Sequence, residues 1–403
     1  MLIGLVGRPN VGKSTFFKAA TLSDVLIANY PFATIKPNSG MAYVKIEDLA
    51  PEFGKVANPR EGFVKDGLGK NGKKLMGKWR FVPFELMDVA GLVEGASEGK
   101  GLGNAFLNDL ASADAFIHVV DMSGETDAEG KPCEDFYPGE GLDMIERELD
   151  KWYLGILIKV WKTFARTIEM QKGNFAEAVA KQFSGLKVSE DDVKSVVLSG
   201  KFNSEKPSSW DDNEVARFAR ELRRSTKPMI IAANKMDRPK SEGNFDRMKN
   251  DFDYPIVPCS AEYELVLRQA DKNKLVSYVP GDKSFEIIGE INDNQRKVLE
   301  DVKDFLGEHE TGTGVQDILN KVVFELLKMV AIFPAGDKLE DSNGNVLPDC
   351  YLMPHGSTAL DFAFRLHSDI GRGFVKAIDV RTKRAVGKEY LIKNRDGLEI
   401  ITR

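Results

Sequence analysis

Short apolar runs recur along the first part of the chain, each closing on a small or polar residue: LIGLV before Gly7, FVPFELM before Asp88, AFIHVV before Asp121 and MIIAA before Asn234. Uninterrupted runs of this kind predict strands buried on both faces, as in a parallel sheet covered by helices. KSTFFKAATL, after the first run, predicts a helix. GLDMIERELDKWYLGILIKVWKTFARTIEMQ places Met144, Ile145, Leu149, Trp152, Ile156 and Val160 at helical spacing and predicts one long amphipathic helix, and DNEVARFARELRRS predicts another. About a hundred residues separate Asp121 from Pro228, far more than a crossover between neighbouring parallel strands needs, so a helical insertion is expected there. Trp152, Tyr153 and Trp161 are expected in its core. From about Val330 the pattern changes to short strand-like runs with one helix around Thr358 to Ile370.

At 403 residues the chain exceeds the size at which a single core stops growing, which predicts two or three domains. A composition of 42% hydrophobic and 29% charged residues is that of a soluble globular protein. The net charge of -6 excludes a wholesale nucleic-acid coat, so any such contact is regional. Two regions qualify. Lys55 to Arg80 holds eight Lys or Arg against Glu61 and Asp66, and Arg365 to Arg395 holds nine against Asp369, Asp379 and Glu389. Either could meet phosphate backbones or be a solvated face; for the first, a solvated hairpin is the preferred reading. Cys133, Cys259 and Cys350 lie far apart without zinc or disulfide spacing, which fits a reducing compartment. With no signal-peptide pattern and no membrane-length apolar run, a cytoplasmic protein without membrane contact is expected.

The first apolar run opens into Gly7, Arg8, Pro9, Asn10, Val11, Gly12, Lys13, Ser14 and Thr15. A glycine, four residues, then Gly-Lys-Ser is the P-loop spacing, in which backbone N–H groups wrap phosphates at a helix N-terminus. Lys13 would reach the β and γ oxygens and the Ser14 hydroxyl would hold magnesium. The second constellation is DVAGL. Asp88 at a strand end can hold the same magnesium through its water shell, and Gly91 can offer its N–H to a γ-phosphate, while Leu92 stands where many such switches carry a water-orienting glutamine. The third is Asn234-Lys235-Met236-Asp237. A carboxylate at Asp237 accepts from both N1–H and the exocyclic amine of guanine, whereas adenine lacks that donor pair, so the site selects guanine. Lys235 would pack its stem over the loop or base, and Asn234 would tie the loop to the P-loop. Cys259, Ser260 and Ala261, after a short strand, could meet the guanine oxygen through their backbone. His118 is expected as a satisfied core histidine, His355 and His367 as structural or RNA-facing.

These four elements in this order resemble the GTPase branch of P-loop proteins. ANYPFATIKPN, DVAGLVEGASEGKGLGNAFLNDL and IHVVD resemble the Obg family, most closely its YchF-related branch, and HGSTALDFAFRLHSDIG resembles the TGS domain, a small β-grasp module. The resemblance implies an α/β architecture: a discontinuous P-loop GTPase domain of mostly parallel sheet flanked by helices (1–123 and 226–329), a helical insertion forming an antiparallel arm (124–225) and a TGS β-grasp domain (330–403). It places Thr34 where the family's switch I threonine binds magnesium and the γ-phosphate, and makes Val93 to Gly103 a mobile switch II. It also aligns Asn10 with the asparagine that holds potassium in cation-dependent relatives, although a plain turn residue is equally compatible. YchF itself departs toward a glutamate and adenine; here Asp237 is kept, which implies GTP rather than ATP.

The resulting expectation is a slow, monomeric GTPase switch with Lys13, Thr34 and Gly91 in catalysis. Its cofactors are GTP or GDP with Mg2+ at Ser14, Thr34 and Asp88, and K+ at Asn10; its partner is a ribosome or RNA. Three alternatives stand beside it: a nucleotide-gated RNA-binding module with negligible hydrolysis, an ATP-using relative, and a P-loop kinase, for which no acceptor motif is present.

Overall fold

Each apolar run forms a strand, because a run without polar interruptions can bury both faces only at the centre of a sheet. The computed structural model describes residues 1–21, 39–69, 72–89, 95, 110–127, 129–336 and 338–403. Its first half contains β1 (Leu2–Val6), α1 (Lys13–Thr21), β2 (Ser39–Glu47), β3 (Phe63–Leu68), β4 (Lys74–Asp88), β5 (Ala115–Asp121), α2 (Pro138–Ile158), α3 (Trp161–Gln171) and α4 (Phe175–Gln182). Then follow α5 (Glu190–Ser199), α6 (Asp212–Thr226), β6 (Met229–Asn234), α7 (Ser241–Asp251), β7 (Ile256–Pro258), α8 (Ala261–Lys272), β8 (Val276–Tyr278) and β9 (Phe285–Ile287). The chain ends with α9 (Asp293–Glu308), α10 (Val315–Lys321), β10 (Met329–Pro334), β11 (Tyr351–Pro354), α11 (Ala359–Leu366), α12 (Ser368–Arg372), β12 (Phe374–Asp379), β13 (Ala385–Val386) and β14 (Asp396–Thr402). Two compact units result: Met1–Gly40, Glu85–Val266 and Thr313–Ile318 form one, and Met41–Phe84, Leu267–Gly312 and Leu319–Arg403 the other. Residues 41–84 and 267–312, assigned from the sequence to the nucleotide domain, thus lie in the unit that holds the C-terminal segment.

In the first unit the order is β4-β1-β5-β6-β7, every pair parallel, with Leu2 to Leu5 opposite Glu85 to Asp88 and Phe116 to Asp121 opposite Met229 to Asn234. This in-register stacking brings Gly7, Asp88, Asp121 and Asn234 to one end of the sheet, the carboxyl ends where open α/β sheets bind ligands. The helical insertion, α2 to α6, packs around Tyr153, Trp161, Phe175, Trp210 and Phe218, all buried. Trp161 and Trp210 lie 5.2 Å apart between ring centroids. The long helix expected across this region is two helices: α2 ends at Ile158 and α3 begins at Trp161, with Val160 at φ -115° and ψ -6°. The break turns Trp161 into the aromatic cluster, a tertiary gain that local periodicity does not report. Capping boxes at Ser189/Asp192 and Asp211/Glu214 start α5 and α6.

In the second unit β2 and β3 both pair with β4, and the basic segment 55–80 is the antiparallel β3–β4 hairpin with its lead-in. The C-terminal sheet runs β11-β10-β14-β12-β13 and packs on α11 through Phe362, Ala377 and Leu398. The single helix expected near Thr358 to Ile370 is interrupted at His367, which is extended (φ -165°) and caps α12 by accepting the Asp369 N–H at Nδ1.

Much of the local positive surplus is neutralised inside this unit. Arg381 grips Glu52 with two nitrogens, Arg395 meets Glu47 and Glu52, and Arg60 meets Asp341 and Asp349. Lys55 pairs with Glu340, Lys65 with Asp271 and Lys74 with Asp66. No helix among the described residues is long and apolar enough to cross a membrane.

Candidate nucleotide-binding site

β1 delivers the loop, and two glycines let it close. A Cβ on Gly7 would lie 2.5 Å from the Val119 carbonyl oxygen, so β1 and β5 approach closely only because it is absent. Gly12 has φ +95° and faces the Asn234 amide, where a Cβ would come within 2.3 Å. Lys13 opens α1, and its Nζ folds back to donate 2.7 Å to the Arg8 carbonyl. Burial pushes the Lys13 ammonium down to about 8, against the opposing pull of Asp88.

The Ser14 hydroxyl donates 2.9 Å to Asp88 Oδ2. Asp88 Oδ1 is buried with no hydrogen-bond partner among the described residues, and burial raises this carboxyl while Ser14 and Lys13 pull it down. A hydroxyl and a carboxylate with an unmatched oxygen are the hard donors a magnesium ion accepts, directly or through its waters.

The remaining loop residues serve unequal roles. The Arg8 guanidinium is buried, lies 4.4 Å over the Phe136 ring and has no hydrogen-bond partner for either terminal nitrogen among the described residues. Pro9 abuts Gly130, where a Cβ would come within 2.9 Å of its own Cβ. Asn10 sits at φ +62° and donates Nδ2 to the Gly130 carbonyl at 2.8 Å, the geometry of a turn residue. Val11 is buried, and Thr15 is half-buried.

The Asn234–Asp237 loop is wired to this cradle. Asn234 donates Nδ2 to the Val11 carbonyl at 3.0 Å and accepts the Ala261 N–H at Oδ1, also at 3.0 Å. One side chain thus ties three segments together. Asp237 presents a buried Oδ1 without a partner among the described residues, while its other oxygen lies 3.5 Å from Arg238 Nε. The Cys259 thiol is buried and its pKa is raised by that burial. The N–H groups expected to face a guanine oxygen are engaged within the protein: Cys259 donates to Ala233, Ser260 to Thr313 and Ala261 to Asn234. A base oxygen here would share or displace one of these bonds.

Lys235 is anchored at its far end. At φ +64° it sends Nζ 2.6 Å to Asp121 Oδ2. Asp121 is 1% exposed and also accepts from the Ser123 N–H, the Ser123 hydroxyl and the Thr126 hydroxyl. Sequence reasoning passed over this aspartate; its place at a strand end, in register with Asn234, was the available signal. His118 is buried as expected, but its Nδ1 lacks a partner among the described residues, and burial beside Arg8 pushes it down to about 3. Thr34, Gly91 and Leu92, together with most of the segment Val93 to Gly103, lie outside the described residues.

Three family models match: "50S ribosome-binding GTPase" over residues 2–160, "Obg-like GTPase YGR210-like, G4 motif-containing domain" over 232–337 and "TGS domain" over 329–402. The chain is 44% identical to a protein of Methanocaldococcus jannaschii described as an uncharacterized GTP-binding protein, covering 100% of this chain and 99% of that one. It is 29% identical to the ribosome-binding ATPase YchF of Bacillus subtilis, over 98% and 96% of the two chains. The crystal structure of a GTP-binding protein from Pyrococcus horikoshii matches with a TM-score of 0.77 at 36% identity, covering 100% of both chains.

Proposed function

The chain belongs to the Obg family of P-loop GTP-binding proteins, in its YchF-related branch with a TGS domain, and we propose that it is a slow GTPase acting as a nucleotide-dependent switch on a ribosome or other RNA. The observation that carries the base assignment is the buried Oδ1 of Asp237, which has no hydrogen-bond partner among the described residues. Guanine offers N1–H and an amine to such a carboxylate, and adenine presents an acceptor at the same edge.

In this reading the loop residues do the binding. Phosphate oxygens draw Lys13 Nζ off the Arg8 carbonyl, and the N–H groups that open α1 face the same oxygens. Ser14 and Asp88 would hold Mg2+, which supplies charge neutralisation on the β and γ phosphates. Thr34 and Gly91 are assigned to the γ-phosphate by their place in the sequence. With Leu92 in place of a glutamine, the water is not held by that side chain, and neutralisation by Lys13 and the cations is the larger share of catalysis. Asn10 as a potassium ligand is the weakest element, since its amide serves Gly130; turnover unchanged on replacing potassium by sodium removes that role.

The ribosome or RNA partner rests on the matched ribosome-binding GTPase model and on a relative named ribosome-binding. We further propose a monomeric protein working in the cytoplasm. The same relative is named an ATPase, so the second reading is an adenine nucleotide user. Competition of GDP and ADP against a fluorescent guanine nucleotide separates them: preference for GDP is expected, and equal competition overturns the role of Asp237. Single-turnover hydrolysis with and without ribosomes tests catalysis, and no phosphate release in either overturns the GTPase.

A further inference from the structure

Ser260 donates its N–H to the Thr313 carbonyl at 2.9 Å, although Thr313 lies far along the chain from every nucleotide motif. Thr313 is fully buried, and its hydroxyl donates to Glu264 in the first turn of α8, the helix that Ser260 caps by accepting the Tyr263 N–H. Gly314 follows with φ +80°, and a Cβ there would stand 2.0 Å from the Pro258 carbonyl oxygen and 2.9 Å from Cys259 Cα. Both contacts are with backbone, so no side-chain adjustment relieves them.

We propose that Thr313 and Gly314 are positioning residues of the base pocket, an additional element that sets the Cys259–Ala261 loop from its far side. The geometry is complementary to what Asn234 does from the near side. Asn234 fixes Ala261 and the P-loop, Thr313 fixes Ser260, and Gly314 allows the backbone of 258 and 259 to lie flush against the segment. The N–H groups of the loop are directed by these bonds, so the reading of the base edge depends on residues that never touch nucleotide. Thr313 and Gly314 lead directly into α10, so the segment that backs the pocket is also the one leading toward the TGS domain in sequence.

The inference rests on the proposed guanine site and is tested in the full-length chain. Gly314→Ala is expected to weaken GDP binding by about tenfold, as a strained φ and a forced backbone shift imply, with a smaller loss for ADP, so that discrimination falls. Thr313→Val keeps the carbonyl and loses only the hydroxyl bond; its effect should be smaller, and it serves where the glycine variant folds poorly. In the wild type, GDP should protect residues 256–264 and 310–318 together from hydrogen exchange. Gly314→Ala protein with unchanged affinity for both nucleotides, or protection of 256–264 without 310–318, overturns the proposal. Equal wild-type affinities for GDP and ADP overturn the guanine reading alone, because loss of affinity for both in Gly314→Ala still establishes the positioning role.

Discussion

Lys235 and Asp121 meet at 2.6 Å, and with Ser123 and Thr126 on the same carboxylate they hold the Asn234–Asp237 loop at the end of β5. Lys235 keeps 24% side-chain exposure, so the pair is partly screened, yet the Asp121 oxygens are dry. Asp121→Asn removes the charge and leaves the shape. GDP affinity is expected to fall on the order of tenfold, the worth of one charge-assisted hydrogen bond. Isothermal titration checks it, and unaltered affinity means the loop is held without the pair.

The buried Lys13 makes nucleotide binding pH-dependent. Its ammonium sits at about 8 rather than its ordinary 10.5, so between those values the unfolded chain keeps a proton that the folded chain has released, and stability rises with pH across that window. Lys227, pushed down to about 8 by burial and donating to the Ala111 carbonyl, adds an effect of the same sign. A bound phosphate restores the ammonium of Lys13 and not that of Lys227. GDP binding above pH 8 should therefore take up a proton, seen by calorimetry in buffers of different ionisation enthalpy and retained in Lys227→Met. Absence of uptake shows that Lys13 already carries its proton in the free protein, its burial notwithstanding.

The helical insertion should be separable in stability from the nucleotide site. Trp210 packs on Trp161, Phe175, Phe202 and Phe218, and its indole donates to the Asn203 carbonyl. Trp210→Ala should cost about 3–5 kcal/mol, lowering the thermal midpoint while nucleotide affinity holds. A parallel loss of GDP binding would show that the arm is part of the site.

Strands and motifs were legible because each depends on neighbours in sequence: the run LIGLV, the loop Gly7 to Ser14 and the turn at Asn234 carry their own signals. What escaped depends on distant partners. The break before Trp161 follows from Trp210, the role of Asp121 from Lys235, and the engaged N–H of Ser260 from Thr313. Local charge counts do not report pairing for the same reason, since Arg60 and Arg80 in the basic hairpin segment find Asp341 and the Leu347 and Pro348 carbonyls.

For RNA contact, paired and unpaired cations in the TGS sheet should behave differently. Lys376 and Arg384 are exposed and carry no ion pair among the described residues, whereas Arg381 is held by Glu52. Lys376→Glu and Arg384→Glu are expected to weaken ribosome co-sedimentation and each to lower the salt slope by about 1. Arg381→Ala should leave the slope unchanged; an unchanged slope for Lys376→Glu and Arg384→Glu would place the contact elsewhere.

The grip of Arg381 and Arg395 on Glu47 and Glu52 bears on how fragments of this protein behave. A polypeptide cut at 329 would leave both acids behind and display two bare guanidinium groups that the intact chain neutralises. Such a fragment should adhere to polyanions more strongly than the whole molecule, and its affinity would exaggerate that of the native surface.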